Sequence, residues 1–186
     1  MDYKSADDIQ LMLTVRDADD HQAFAELVNR YQNILLNYFI RSAVEYDMED
    51  LAQQTFLRLY RYRQNYRPSA KFTTFLFLMA RQVWIDELRK RQRRQKLVEE
   101  LERQTEPFAA APAPEDGADA KHDIDQALRS LPDKLRQVVV LGVYQELPYA
   151  EVSEILGIPV GTVKSRMFNA LAKLKDFLLK DQGGKS

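Results

Sequence analysis

The stretch TEPFAAAPAPEDGADAK, Thr105 to Lys121, limits what this chain can fold into more than any other. It has no apolar period, and Pro107, Pro112 and Pro114 remove backbone donors and forbid a continuous helix. Long structureless loops are rare inside one compact domain, so the stretch reads as a flexible, partly extended linker. A chain of 186 residues broken there builds two small cores. The expected division is a first unit over 1–104, a linker over 105–122 and a second unit over 123–186. Such a linker leaves open whether the two units pack together and hide their functional surfaces; the expectation is weak packing between them.

Both flanks read as helical. In DDHQAFAELVNRYQNILLNYFI, Phe24, Leu27, Val28, Tyr31, Leu35 and Tyr38 recur at three- and four-residue steps, one face of a helix that Asp19 or Asp20 can cap. DMEDLAQQTFLRLYRYRQNY puts Leu51, Ala52, Thr55, Phe56 and Leu59 on one stripe. KFTTFLFLMARQVWIDELRKRQRRQKLVEELERQ continues as a long helix, apolar first and basic later. Beyond the linker, a short helix at IDQALRSL precedes another that opens at Pro132, where a missing donor costs nothing. No period-two run bounded by hairpin turns is present. The expected fold is all-α: two small helical domains, the second a helix-turn-helix.

The totals exclude several classes. With no cysteine, disulfides and thiolate metal sites are ruled out, and His21 and His122 stand too far apart in sequence to suggest a metal centre. No apolar run approaches the roughly 20 residues of a membrane span. The polar, acidic start MDYKSADDIQ is the opposite of a signal peptide, so the expected location is the cytoplasm. The carboxylates nearest apolar surface, Asp47, Glu49, Asp50, Asp86 and Glu87, have no nucleophile–base arrangement or glycine-rich phosphate loop beside them. The chain is therefore read as a non-enzyme with no catalytic residue, cofactor or metal.

The C-terminal half carries a more specific signal. In PYAEVSEILGIPVGTVKSRMFNALAKLKDFLL, Val152, Leu156, Ile158 and Val163 suit two helices crossing steeply, and Gly157 stands where the first must stop abruptly. Ser153 supplies a small side chain at the close approach. Thr162, Lys164, Ser165, Arg166 and Asn169 open the second helix with groups that bond phosphates and base edges in a major groove. Lys173 and Lys175 suit backbone or solvent. Apolar spacing alone would equally describe a helical hairpin with no DNA role.

A second concentration runs from Tyr60 to Lys96. YRYRQNYRPSAKFTTF interleaves aromatic and cationic residues, which suits single-stranded nucleic acid: aromatic faces stack on bases while cations follow phosphates. Phe77 and Trp84 are better read as core. Tyr66, Phe72 and Phe75 flank a proline-containing loop, and partial exposure is expected of them. Arg89, Lys90, Arg91, Arg93, Arg94 and Lys96 then crowd the following helix; they are either a solvated helix end or a phosphate contact. A third surface, Asp50, Gln53, Gln54, Leu57 and Arg61, lies opposite the core stripe and suits a protein partner or plain solvent.

These blocks together resemble a family. DMEDLAQQTF, Asp47 to Phe56, is similar to the D-x-E-D-L-x-Q-E-x-F stretch of the extracytoplasmic-function (ECF) sigma factors of bacterial RNA polymerase, with Gln54 in place of the glutamate. FTTFLFLMARQ, Phe72 to Gln82, resembles their F-x-x-W-L-x-x-I-A-R-N, and LGIPVGTVKSR resembles their L-G-I-x-x-G-T-V-K-S-R. The resemblance implies that Asp47, Asp50, Leu51, Gln53, Gln54 and Leu57 dock on the clamp helices of core RNA polymerase. Arg67, Ser69, Lys71, Phe72, Phe75, Arg81, Gln82, Trp84, Arg89, Lys90 and Arg91 would meet the -10 promoter element. Thr162, Lys164, Ser165, Arg166 and Asn169 would read the -35 element. The second domain would touch the polymerase flap, and an anti-sigma factor would be a further partner. Phe75 for the family's Trp, Gln82 for Asn and Asn169 for a frequent Arg are departures that bear on promoter preference; Ser153 for the usual Ala is a tolerated one.

The charge balance fits that implication. With 27 Lys and Arg against 28 Asp and Glu, the chain has a net charge of -1. Phosphate neutralisation supplies most non-specific DNA affinity, so this protein alone should bind DNA weakly. A large partner that holds both DNA-reading units on one promoter would raise their effective concentration. An ordinary transcription regulator with the same helix-turn-helix is the competing reading; it would need a sensor or phosphoacceptor domain, usually α/β, which the first half does not suggest.

Overall fold

The computed structural model describes residues 2–42, 47–69, 71–102 and 120–183. Among them the chain forms α1 (Asp8–Ala18), α2 (His21–Arg41), α3 (Met48–Arg61), α4 (Phe72–Glu102), α5 (Ala120–Ser130), α6 (Asp133–Val139), α7 (Tyr149–Leu156) and α8 (Val160–Gly183). A 3-10 turn at Arg63–Asn65 and a π-helical turn at Val140–Tyr144 complete the list, and no strand occurs among the described residues. The all-α expectation holds. The proposed linker residues 105–119 lie outside the described residues; α5 opens at Ala120, inside the tail of the stretch read as linker and past its last helix breaker, Gly117.

The first half is α1–α4. Asp20 caps α2, accepting from the backbone N–H groups of Gln22 at 2.9 Å and Ala23 at 3.0 Å. The predicted stripe of α2 turns inward: Leu27, Tyr31, Leu35 and Tyr38 are buried, and Phe24 and Val28 pack against them partly covered. On α3, Leu51, Ala52, Thr55, Phe56 and Leu59 are all buried, as their spacing requires. Helix α1 is absent from the sequence reading. Only Leu11, Met12 and Val15 are buried on it, too few to set a period, and its start rests on Asp7, which accepts from Gln10 N–H at 2.8 Å. Arg30 ties the chain ahead of α1 to α2 by donating to the carbonyls of Tyr3 and Ala6, both at 2.9 Å, and to Asp8 at 2.9 Å.

The second half is α5–α8. Arg136 is buried yet satisfied: it donates to the carbonyls of Arg129 at 3.1 Å and Leu131 at 3.2 Å and pairs with Asp133, so a cation closes the C-terminal end of α5. Gly142 lies so close to α8 that a Cβ there would stand 2.8 Å from the Met167 Cε. Gly157 ends α7 in the left-handed region at φ 64°, with open space around its Cα, so glycine is required there for conformation and not for room. Ser153 Oγ donates across the turn to the Ile158 carbonyl at 2.5 Å, using the small polar side chain at the close approach.

The expectation of weak packing between the halves is corrected. Buried apolar residues of both halves form one contiguous cluster, with α7 on α4 and with α5 and the π-helical turn on α2. Polar contacts join them: Lys71 Nζ to Glu151 at 2.6 Å, Thr74 Oγ1 to Glu151 at 3.0 Å, Arg41 to Asp125 at 3.5 Å, and the Arg41 guanidinium 4.1 Å from the Tyr144 ring centroid. The composition of a segment joining two domains does not set the affinity of their surfaces, so it could not reveal this contact.

Two outcomes follow. Gly157→Ala should cost about 1–2 kcal/mol in chemical denaturation, the left-handed penalty of a Cβ; an unchanged midpoint would contradict the turn. Burial raises the Tyr38 phenol to about 12, and burial with the Asp8 bond also raises Tyr31. A raised folded value means stability that is whole below the unfolded value near pH 10 and lost as pH climbs toward the folded one. Tyrosine absorbance during alkaline titration should show these two phenols ionising together with the loss of helical circular dichroism; ionisation with intact helices would contradict their burial.

Candidate nucleic-acid interfaces

The helix-turn-helix places one candidate surface. Pro159 accepts from Thr162 N–H at 2.9 Å and Val163 N–H at 3.1 Å, starting α8 immediately after the turn. Val163, Met167 and Ala170 face the core. At about 100° per residue, Thr162, Ser165, Arg166 and Asn169 then fall together on one outward face. Ser165 and Asn169 are exposed, Thr162 and Arg166 half-exposed. Lys164 is not brought to that face: it lies roughly 160° round the helix from Thr162, on a flank with Phe168 and Leu171, which are 76% and 50% exposed. This exposed apolar flank is the feature that sequence reading passed over, because Phe168 has the spacing of an ordinary helix residue.

The second candidate surface surrounds the start of α4. Here the expected partial exposure of aromatics is corrected. Tyr66, Phe72 and Phe75 are buried, and so are Phe77 and Trp84. Phe72 meets Tyr31 edge-on at 4.9 Å between centroids, Phe75 tilts against Tyr66 at 5.4 Å, and Phe77 against Tyr38 at 5.3 Å. Aromatic area is more stabilising in the core, at about 1.5–3 kcal/mol per large side chain, than left in water. What faces outward around this frame is polar: Arg67, Ser69, Lys71, Gln82, Arg89, Lys90 and Arg91 are exposed. Arg81 is half-buried, with its Nε buried and without a hydrogen-bond partner.

Two clefts lie along this side of α4. One, of about 370 Å³, is lined by Asn65, Tyr66, Arg67, Ser69, Thr74, Phe75, Leu78 and, from α7, Glu154. The other, of about 380 Å³, is lined by Arg58, Tyr62, Gln82, Ile85, Asp86 and Arg89. The basic run beyond them is largely answered by acid. Asp86 pairs with Arg58 at 2.6 Å and Arg89 at 3.8 Å, and the buried Glu87 pairs with Lys90 at 3.1 Å and Arg94 at 2.9 Å. These local pairs leave fewer cations of the basic stretch unopposed.

The third surface is the outer face of α3. Asp47 caps the helix, accepting from Asp50 N–H at 3.0 Å, and Gln54 donates to Asp50 at 2.6 Å. Asp50, Gln53 and Leu57 are exposed and Gln54 half-exposed. Leu51 does not belong with them: it is 1% exposed and faces the core, so it supports the face from beneath. Among the described residues no group of His, Asp and Glu could hold a metal ion, and no helix is long and apolar enough to cross a membrane.

Two family models match the chain, one in each half. A family model described as Sigma-70 region 2 matches residues 24–94, and one described as Sigma-70, region 4 matches residues 121–174. ECF RNA polymerase sigma factor SigW of Bacillus subtilis is 33% identical over 166 residues, which is 84% of this chain and 89% of that protein. ECF RNA polymerase sigma factor SigE of Mycolicibacterium smegmatis is 33% identical over 163 residues, 83% of this chain and 61% of that protein. Among solved structures, the sigma factor RpoE in complex with the anti-sigma factor NepR from Bartonella quintana has a TM-score of 0.69 at 23% identity, covering 83% of this chain and 96% of that one. CnrH in complex with the cytosolic domain of CnrY has a TM-score of 0.68 at 24% identity, covering 94% and 98%. At those identities the structural likeness is one of fold.

The pairing of Glu87 generates a test. Glu87→Gln keeps the shape and releases Lys90 and Arg94. If these cations lie against nucleic acid, the slope of log affinity for duplex DNA on log salt should steepen by about 0.9 per cation released onto a phosphate. An unchanged slope in a fluorescence-anisotropy titration would remove both from the interface.

Proposed function

Because this chain belongs to the ECF sigma factors of bacterial RNA polymerase, which direct the polymerase to promoters, we propose that its two halves divide one promoter between them. The first half, over 1–104, would bind core polymerase and the -10 element, and the second, over 123–186, the -35 element. The observation that carries this reading is the outward face of Thr162, Ser165, Arg166 and Asn169 at the start of α8, on the same chain as a polar cleft over an aromatic frame at the start of α4. One surface has the chemistry to read a duplex groove; the other presents cations and polar groups that can follow the phosphates and bond the edges of single-stranded bases.

In this reading Asp50, Gln53, Gln54 and Leu57 meet the clamp helices, with Asp47 and Leu51 fixing the helix that presents them. Arg67, Ser69, Lys71, Gln82, Arg89, Lys90 and Arg91 contact the -10 element, while Phe72, Phe75 and Trp84 hold the cleft in shape and Arg81 supports it. The sigma factor itself performs no chemistry. Captured bases shift the polymerase-bound duplex toward the open form because binding the unstacked state is favourable. The Phe168 and Leu171 flank of α8 suits the polymerase flap. An anti-sigma factor is a further partner we infer, as RpoE was solved with NepR.

Co-elution with bacterial core polymerase in gel filtration, followed by transcription from a genomic fragment library, tests the reading. Discrete new start sites are expected. No co-elution together with tight, specific duplex binding would instead mean an ordinary regulator. Leu57→Asp, at a residue 54% exposed, should abolish co-elution and leave the circular dichroism unchanged. Arg166→Ala should lower transcription from promoters with a matched -35 element about 10- to 100-fold, the equivalent of about 1–3 kcal/mol for a lost base contact, with little effect where the -35 element is scrambled.

A further inference from the structure

The contact between the halves falls on the surface that the proposed function assigns to DNA. Lys71 is the residue before α4, and its carbonyl accepts the Phe75 N–H at 3.3 Å, so it stands at the N-terminal, electropositive end of a 31-residue helix. Thr74 lies within the first turn. Their side chains converge on one carboxylate: Glu151 takes the Lys71 ammonium on Oε1 at 2.6 Å and the Thr74 hydroxyl on Oε2 at 3.0 Å. Thr74 is 2% exposed, and the Glu151 side chain is 15% exposed. An ammonium and a hydroxyl donor on one anion, beside the start of a helix, is also an arrangement that holds a phosphate.

Nearby acid does not compete for these donors. Asp7 and Asp8 line a neighbouring cleft with Lys71. Asp7 is occupied in capping α1, and Asp8 in bonds from Arg30 and Tyr31. Glu154, one turn after Glu151 on α7, lines the adjoining cleft that contains Arg67 and Ser69. The first helix of the helix-turn-helix thus lays two carboxylates along the polar edge of the proposed -10 surface. Arg41, against Asp125 and Tyr144, is a second clasp at the other end of the contact.

We propose that Glu151 is an internal stand-in for a promoter phosphate: in the closed chain it occupies the seat formed by Lys71 and Thr74, and a phosphate of the -10 strand takes that seat when the halves part. Thr74 is then a DNA-contacting residue hidden in the free protein. Closure and -10 binding exclude each other, so the free chain is latched against DNA, and a polymerase that holds the halves apart exposes the seat. The phosphate half of this inference rests on the proposed function. The latch itself rests on the contact alone.

The chain has no cysteine, so Arg61→Cys and Lys173→Cys allow a donor and an acceptor dye to report closure in the full-length protein. In that background, Glu151→Gln should lower energy transfer and flatten its decline with salt, because an exposed ammonium is screened as ionic strength rises. It should also tighten binding of a single-stranded oligonucleotide carrying the -10 sequence found in the transcription experiment by about fivefold, the scale of a partly exposed ion pair. Adding Thr74→Val to Glu151→Gln should reverse that gain. Unchanged energy transfer in Glu151→Gln would overturn the latch. Lower energy transfer with unchanged oligonucleotide affinity, or a gain that Thr74→Val leaves intact, would overturn the shared seat. If the polymerase complex with wild-type chain ignores the oligonucleotide, the -10 assignment of this surface fails, while the energy-transfer comparison still decides the latch.

Discussion

Burial of Phe72, Phe75 and Phe77 against Tyr31, Tyr66 and Tyr38 fixes the first two turns of α4, and most of the first half depends on it. The three pairs point in different directions from one helix start. They therefore set the rotation of α4 against α2 and also the course of the chain that leads into it. Once that rotation is set, Lys71, Gln82 and Arg89 fall on the outer side and the acidic residues Asp86 and Glu87 lie among the cations that follow. A loop rich in Arg and Tyr is held as a shaped polar edge because its aromatic residues are spent on packing beneath it.

Charge is then handled locally. The basic stretch of α4 has its own carboxylates within reach, and the cation at its start is met by α7. A sigma factor carrying unopposed positive charge on both DNA-facing units would bind any duplex through counterion release alone. Intramolecular pairing weakens that non-specific attraction, because a cation already matched by a carboxylate displaces fewer counterions. Around α4, cations and carboxylates therefore lie side by side on one surface.

The helix-turn-helix depends on a different constraint. Gly157 turns the chain in a region that side chains avoid, Ser153 bonds across the turn, and Gly142 leaves room for the end of the Met167 side chain of α8. These positions hold α8 so that Thr162, Ser165, Arg166 and Asn169 share a face. The same rotation sends Lys164 to the flank with Phe168 and Leu171, giving the helix a polar face and an apolar flank.

Sequence by itself determined the helical class, the stripes of α2 and α3, the Gly157 turn and the family, because each is written in local spacing: apolar period, capping carboxylate, glycine at a forced turn. It also singled out polar residues that the structure leaves on the outside at the starts of α4 and α8. It did not reveal α1, whose few apolar residues make no period until α2 covers them. It suggested exposure for Tyr66, Phe72 and Phe75, since a proline loop and neighbouring cations look the same whether aromatic rings turn out or in. It placed Leu51 on a binding face and missed the contact of α4 with α7. Those were decided by tertiary structure, because burial and interdomain affinity depend on which surfaces meet, and residues as far apart in sequence as Thr74 and Glu151 have no local signature of meeting.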